Sequence, residues 1–185
     1  MKKTTILSIV AVVVISLTSI TASAQKIVSS KTHFKFFSST PAEDIEANNY
    51  KAVGTIEKST GDIVFSVPMQ SFEFEKALMQ EHFNSKKFLN TKANPKAKLV
   101  AKITDISTVN YTQDGSYPVN ISGKLTINGV TKAVNVKATI NVAGGKLTLQ
   151  AKFKITLADY EVAFKKGKPS RNIAKIVEVT VQAVY

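Results

Sequence analysis

The sequence predicts an all-β fold, an extended eight-stranded antiparallel up-and-down barrel with one short helix inserted near residues 75-84. Three observations carry that expectation. From Lys146 to Leu157 every second residue is apolar (Leu147, Leu149, Ala151, Phe153, Ile155, Leu157) and the residues between them are Lys, Thr or Gln, the two-residue period of a strand with one buried and one wet face. Asn128-Gly129 stands between two β-rich runs, a strong hairpin signal because both residues tolerate a positive φ. The candidate strands also follow one another through short turns, the order of an up-and-down barrel.

Along the chain, Lys2 and Lys3 precede an apolar run from Ile6 to Ile20 that ends at Ala22-Ser23-Ala24, the three parts of a secretory signal peptide. The run is interrupted by Ser and Thr and falls short of the ~20 residues of a spanning helix. Residues 1-24 are therefore expected to be cleaved, leaving 25-185 as one domain in the periplasm or outside the cell. Candidate strands cover 27-38, 50-58, 62-68, 97-110, 117-127, 130-142, 146-158 and 173-184. The turns between them include Ser59-Thr60-Gly61-Asp62, Gln113-Asp114-Gly115-Ser116 and Ala143-Gly144-Gly145, residues that accept turn dihedrals. The period changes within Glu75 to Phe83, where Ala77, Leu78, Met79, His82 and Phe83 recur at helical spacing. Lys165-Lys166-Gly167-Lys168-Pro169-Ser170-Arg171 reads as a basic loop before the last strand. Strands of about twelve residues make a deep barrel, and eight strands enclose just enough room for side chains or one small ligand. The expectation is a narrow apolar tunnel suited to an elongated, greasy molecule.

Composition removes most chemistry. The chain has no Cys and only two His, which excludes thiol nucleophiles, disulfides and thiolate metal sites and leaves zinc poorly supplied. No nucleophile elbow, phosphate loop, HExxH motif or paired-carboxylate arrangement occurs. No enzyme activity, metal or cofactor is expected. The formal charge of +12 suits an anionic membrane surface or a phosphorylated head group; nucleic acid is not expected in an exported protein whose aromatic residues do not interleave with the charge.

At Ser122-Gly123-Lys124-Leu125-Thr126-Ile127-Asn128-Gly129-Val130-Thr131-Lys132-Ala133-Val134 the chain closely resembles the YceI-like family of polyisoprenoid-binding exported proteins, with its G-x-LT-x-x-GVT-x-x-V hairpin. His82-Phe83-Asn84-Ser85-Lys86-Lys87-Phe88, followed by Pro95, is similar to the family's H-[LF]-x-S-x-x-[FY] signature. Phe153-Lys154-Ile155, Asp159-Tyr160-Glu161-Val162 and Ile176-Val177-Glu178-Val179 follow its order. The resemblance spans 26-185 and implies a lipocalin-like barrel that holds an isoprenoid lipid, a quinone or polyprenyl chain, without covalent attachment. Met79-Gln80-Glu81 replaces the family's Arg-Asp or Arg-Asn before the histidine, and Ala133 replaces a common Pro.

The candidate ligand-binding residues are Phe65, Phe72, Phe74, Phe83, Phe88 and Phe153 with Ile155 on the tunnel wall, and His82 as a head-group contact at the mouth; Phe164 is a further aromatic candidate. The same phenylalanines serve equally as core, and the plainer reading of His82 is a residue that caps the helix or pins the loop over the barrel. His33, among Phe34, Phe36 and Phe37, reads as structural. Lys86, Lys87 and the basic loop are the candidate contacts to an anionic surface. The leading function is burial of one isoprenoid lipid for storage or transport. The alternatives are an integral outer-membrane barrel and an enzyme acting on a bound lipid through His82. A homodimer stays open.

Overall fold

The computed structural model describes residues 26–162 and 173–185, so the signal segment, Phe164 and the basic loop at 165–171 lie outside the described residues. Eleven β-segments form one antiparallel sheet: β1 (Lys26–Val28), β2 (Lys31–Ser39), β3 (Asp44–Asn49), β4 (Val53–Glu57), β5 (Asp62–Pro68), β6 (Glu73–Phe74), β7 (Lys96–Ile103), β8 (Gly115–Ile127), β9 (Val130–Ala143), β10 (Lys146–Thr156) and β11 (Ile176–Val184). A single α-helix among the described residues, α1 (Ala77–Asn84), lies between β6 and β7, where the period changed.

The eleven segments reduce to eight runs of chain. Lys26 faces Glu57 and Val28 faces Thr55, while Phe34 faces Asn49 and Ser39 faces Asp44. All four pairs share one register, so β1 with β2 and β3 with β4 are the two arms of one hairpin, each interrupted once. Likewise β5 continues through a 3-10 turn at Met69–Ser71 into β6, and both pair with the β3–β4 arm. The first arm then closes the sheet: β1 pairs with β4, and β2 pairs with β11. At the break the Ser29 amide donates to the Gly54 carbonyl at 2.8 Å and the Ser30 amide to the Val184 carbonyl at 2.7 Å.

Two boundaries differ from expectation. The strand read over 97–110 ends at Ile103 and gives way to a 3-10 turn at Ile106–Thr108. β3 was not expected, because Asp44-Ile45-Glu46-Ala47-Asn48-Asn49 carries little β propensity; its Asn49 is nonetheless fully buried, its amide donating to the Pro68 carbonyl at 2.8 Å and its oxygen accepting from the Lys51 amide at 2.9 Å. The Asn128-Gly129 turn forms with φ of 52° and 77°, as a two-residue hairpin on right-twisted strands requires.

Inside and outside are sharply divided. Lys98, Lys102, Lys124, Lys137, Lys152 and Lys154 stand exposed on the outer face, whereas a barrel spanning a bilayer needs an apolar outer band. Among the described residues no helix is long and apolar enough to cross a membrane. The interior is apolar but not uniformly filled. At one end Ile56, Ile63, Ile103, Ile140 and Leu149 are fully buried and close the core. The tunnel expected along the whole barrel therefore occupies only the other half, because these branched side chains already fill the first.

Candidate functional site

The hollow half lies under α1. Its floor and walls are the inward residues of successive strands: Phe34, Phe36 and Ser38 from β2, Val67 from β5, Leu125 and Ile127 from β8, Phe153 and Ile155 from β10, Val177 and Val179 from β11. Cross-strand register places Phe153, Val179 and Phe36 on one rung and Ile155 opposite Val177, which is how the period-two pattern becomes a continuous apolar wall. The cavity holds about 350 Å³, the lower end of the range for sites that take a small organic ligand.

A cluster of aromatic rings caps it. Phe83, the buried residue of α1, packs against Phe36, Phe72, Phe74 and Phe88 with ring centroids 5.6, 5.6, 5.0 and 6.1 Å away. Such separations lie in the favourable range for offset and edge-on pairs. Phe72 follows the 3-10 turn after β5 and Phe74 lies on β6 two residues on, while Phe88 lies in the loop after α1, so the β5–β6 run and that loop are held together by one helix residue. The polar groups of the cavity are few and lie toward the rim, among them His82 on α1 and Glu43 in the β2–β3 turn. Glu43 accepts from Lys76 at 2.8 Å, and Ser38, deeper and buried, accepts from the Ala174 amide at 3.1 Å.

Of the eight candidate residues, Phe72, Phe74, His82, Phe83, Phe88, Phe153 and Ile155 line this cavity. His82 is exposed at its edge, and its ring makes no hydrogen bond to another described residue. Phe65 does not line it. It lies one level deeper, edge-on to Phe34 at 5.4 Å, on the wall of a second, wholly apolar cavity of about 60 Å³. Phe34, Val67, Ala97, Leu125 and Phe153 belong to both cavities. Phe34 and Phe36 were missed as site residues, although strand alternation turns both inward and Phe37 away. His33 faces outward, stacked on Tyr50 at 4.6 Å and bonded to Asn48 at 2.7 Å. Lys86 and Lys87 are exposed beyond α1 and do not line the cavity.

The β8–β9 turn has a second task. The Asn128 amide donates to the carbonyls of Tyr160 and Glu161 at 3.2 and 3.3 Å, and its oxygen accepts from the Asn94 side chain at 2.9 Å. Asn94 in turn reaches the Leu89 carbonyl at 3.4 Å. One side chain thus ties together the two connections that carry Leu89 and Val162 to the cavity.

The comparisons agree with this architecture. The family model for the YceI-like domain matches residues 15–185. Protein YceI of Escherichia coli O157:H7 is 30% identical over 115 residues, 59% of this chain and 56% of that protein, and the UPF0312 protein Ent638_1570 of Enterobacter sp. is 29% identical over 120 residues, 62% of this chain and 58% of that one. The matched stretch thus spans little more than half the length of these curated relatives. Among solved structures, BcnA of Burkholderia cenocepacia superposes with a TM-score of 0.66 at 19% identity, covering 83% of this chain and 96% of the other. A polyisoprenoid binding domain from Saccharophagus degradans gives 0.69 at 14% identity, covering 83% and 92%. These likenesses show the fold.

Proposed function

Because the chain belongs to the YceI-like family, we propose that it is an exported lipid-binding protein that buries one isoprenoid-type tail in the cavity under α1. The observation that carries this reading is the cavity itself. A folded domain closes apolar space that has no use, yet about 350 Å³ is left empty here behind a wall of Phe, Ile, Leu and Val. Apolar burial at roughly 25 cal/mol per Å² supplies affinity for a prenyl chain without any reaction. The Saccharophagus degradans neighbour's description as a polyisoprenoid binding domain supports the ligand class. His82 and Glu43 at the rim are the groups placed to meet a head group, and transport or storage follows from whether the bound molecule is released to a membrane.

The test is native mass spectrometry of the protein expressed with residues 1–24 present, followed by organic extraction and lipid mass analysis. We expect an adduct that extraction removes and that carries an isoprenoid chain. A folded protein that is empty and takes up no prenol from vesicles overturns the reading. Catalysis through His82 predicts turnover of a bound lipid that His82→Ala abolishes.

A further inference from the structure

The barrel wall is open on one side. β9 stays paired with β8 along its whole length, down to Val130, and β10 stays paired with β11 from Thr148 to Thr156. Between β9 and β10, however, the ladder runs only from Ala143–Lys146 to Ala138–Ala151 and stops. Both strands continue toward the mouth without bonding to each other. The register explains where it stops: the next rung would set Lys137 directly opposite Lys152, and like charges facing each other destabilise a strand pair. Lys152 turns away to Glu178 on β11 at 2.7 Å. The result is a slot bounded below by the Ala138–Ala151 rung and above by the 3-10 turn at Leu157–Tyr160, which Asn128 holds in place.

Behind the slot lies the second cavity, and its walls include Val134 from the unbonded part of β9 and Ala151 on the last bonded rung, with Phe153 shared with the main cavity. These three inward-facing residues are only half-buried, while Val136 and Val181 close by are buried. Straight down, the way is shut by Ile56, Ile63, Ile103, Ile140 and Leu149. A chain that fills the main cavity and is longer than it has an apolar path sideways and none onward.

We propose that the β9–β10 slot is a side exit for the distal part of the bound tail, so that the protein holds lipids far longer than its cavity with the excess passing out through the wall. This rests on the lipid-binding reading above. The test compares uptake of farnesol and of the much longer solanesol from phosphatidylcholine vesicles. The chain has no native cysteine, so Lys137→Cys with Lys152→Cys places one reversible crosslink across the first missing rung, outside both cavities. Oxidation is expected to lower solanesol loading by roughly tenfold, through the apolar area it denies, and reduction to restore it, while farnesol loading stays unchanged. Solanesol loading that is equal in the oxidised and reduced forms, with the disulfide confirmed by mass, overturns the proposal; so does parallel loss of both prenols, which would place the effect on the main cavity. Ala151→Phe fills the second cavity behind the slot without a crosslink and is expected to lower solanesol loading in the same way. Wild-type loading in that variant overturns the proposal even where the disulfide does not form. Failure of the wild-type protein to load either prenol overturns the lipid reading, and the exit with it.

Discussion

The hydroxyls of Tyr111 and Tyr185 are buried without a hydrogen-bond partner among the described residues. Leaving a polar group in that state costs about 1–3 kcal/mol, so Tyr185→Phe and Tyr111→Phe are expected to leave the melting temperature unchanged or raise it. Burial pushes the Tyr111 phenol up to about 12 and raises that of Tyr185 as well. A phenol whose folded value lies above its unfolded one stabilises the fold fully below the unfolded value and loses that contribution as pH rises toward the folded one. Stability should therefore fall between about pH 10 and 12, and the double Phe variant should flatten that fall in a denaturant titration. Gly123 makes the opposite case. A Cβ there would collide with Ala101 and the Val100 carbonyl, because β7 and β8 approach closely at the Ala101–Gly123 rung. Gly123→Ala is expected to cost on the order of 1–3 kcal/mol, as overpacking does, and to lower the denaturation midpoint. The glycine of the hairpin motif is thus required by packing rather than by dihedral angle, which residue spacing alone does not reveal.

At the level of elements, Asn128 is where turn chemistry and site architecture meet. Removing its side chain leaves the two-residue turn but releases the segments around 85–94 and 157–162. Asn128→Gly should keep the hairpin, since Gly also accepts a positive φ, while amide exchange in those two segments accelerates by the factor that one to two lost hydrogen bonds of about 1 kcal/mol each imply. Unchanged exchange there would mean that Leu89 and Val162 hold the connections by apolar packing alone. The elements that were legible in the sequence share one property: their period agrees with their environment. β10 alternates across its full length and folds as read. The arm of β3 and β4 was seen only in its second half, because Ile45 and Ala47 are its sole apolar inward residues before the buried Asn49, and a buried amide satisfied by the Pro68 carbonyl and the Lys51 N–H leaves no periodic trace. The cavity-lining aromatics near α1 were legible as residue types, whereas their meeting around Phe83 was not, since Phe36, Phe72 with Phe74, and Phe88 come from three separate segments. The slot was equally hidden: it depends on which lysine of β9 faces which lysine of β10, and register is not written in either strand alone.

Taken as a whole, the molecule is a solid half joined to a hollow half. Stability should be distributed accordingly, with the slowest-exchanging amides in the rungs around Ile63, Ile103, Ile140 and Leu149 and faster exchange along the mouth ends of β2, β10 and β11. A bound tail supplies the missing contacts, so loading is expected to slow exchange selectively at that end and to raise the melting temperature; at a free ligand concentration of about a hundred times Kd the gain is about 2.7 kcal/mol. Uniform protection on loading would point to a ligand bound elsewhere. The partition also explains how a +12 chain tolerates so apolar an interior: nearly every lysine of the strands sits at an outward position, and the three ion pairs among the described residues, Lys35–Glu46, Lys76–Glu43 and Lys152–Glu178, leave most of that charge to solvent.

The seam at Ser29 and Ser30 bears on the order in which the molecule is made. Ser30 bonds to Val184, 154 residues further on, and β2, paired on one side with β3, has its other edge covered only when β11 arrives beside it. Until then a growing chain can complete the meander from β1 to β10 yet must leave two strand edges bare, the condition that invites pairing with another molecule. Such long-range closure is slow. The last strand is therefore the step that converts a sticky, open sheet into a molecule with its edges spent, and shortening it should favour aggregates over a merely weaker monomer.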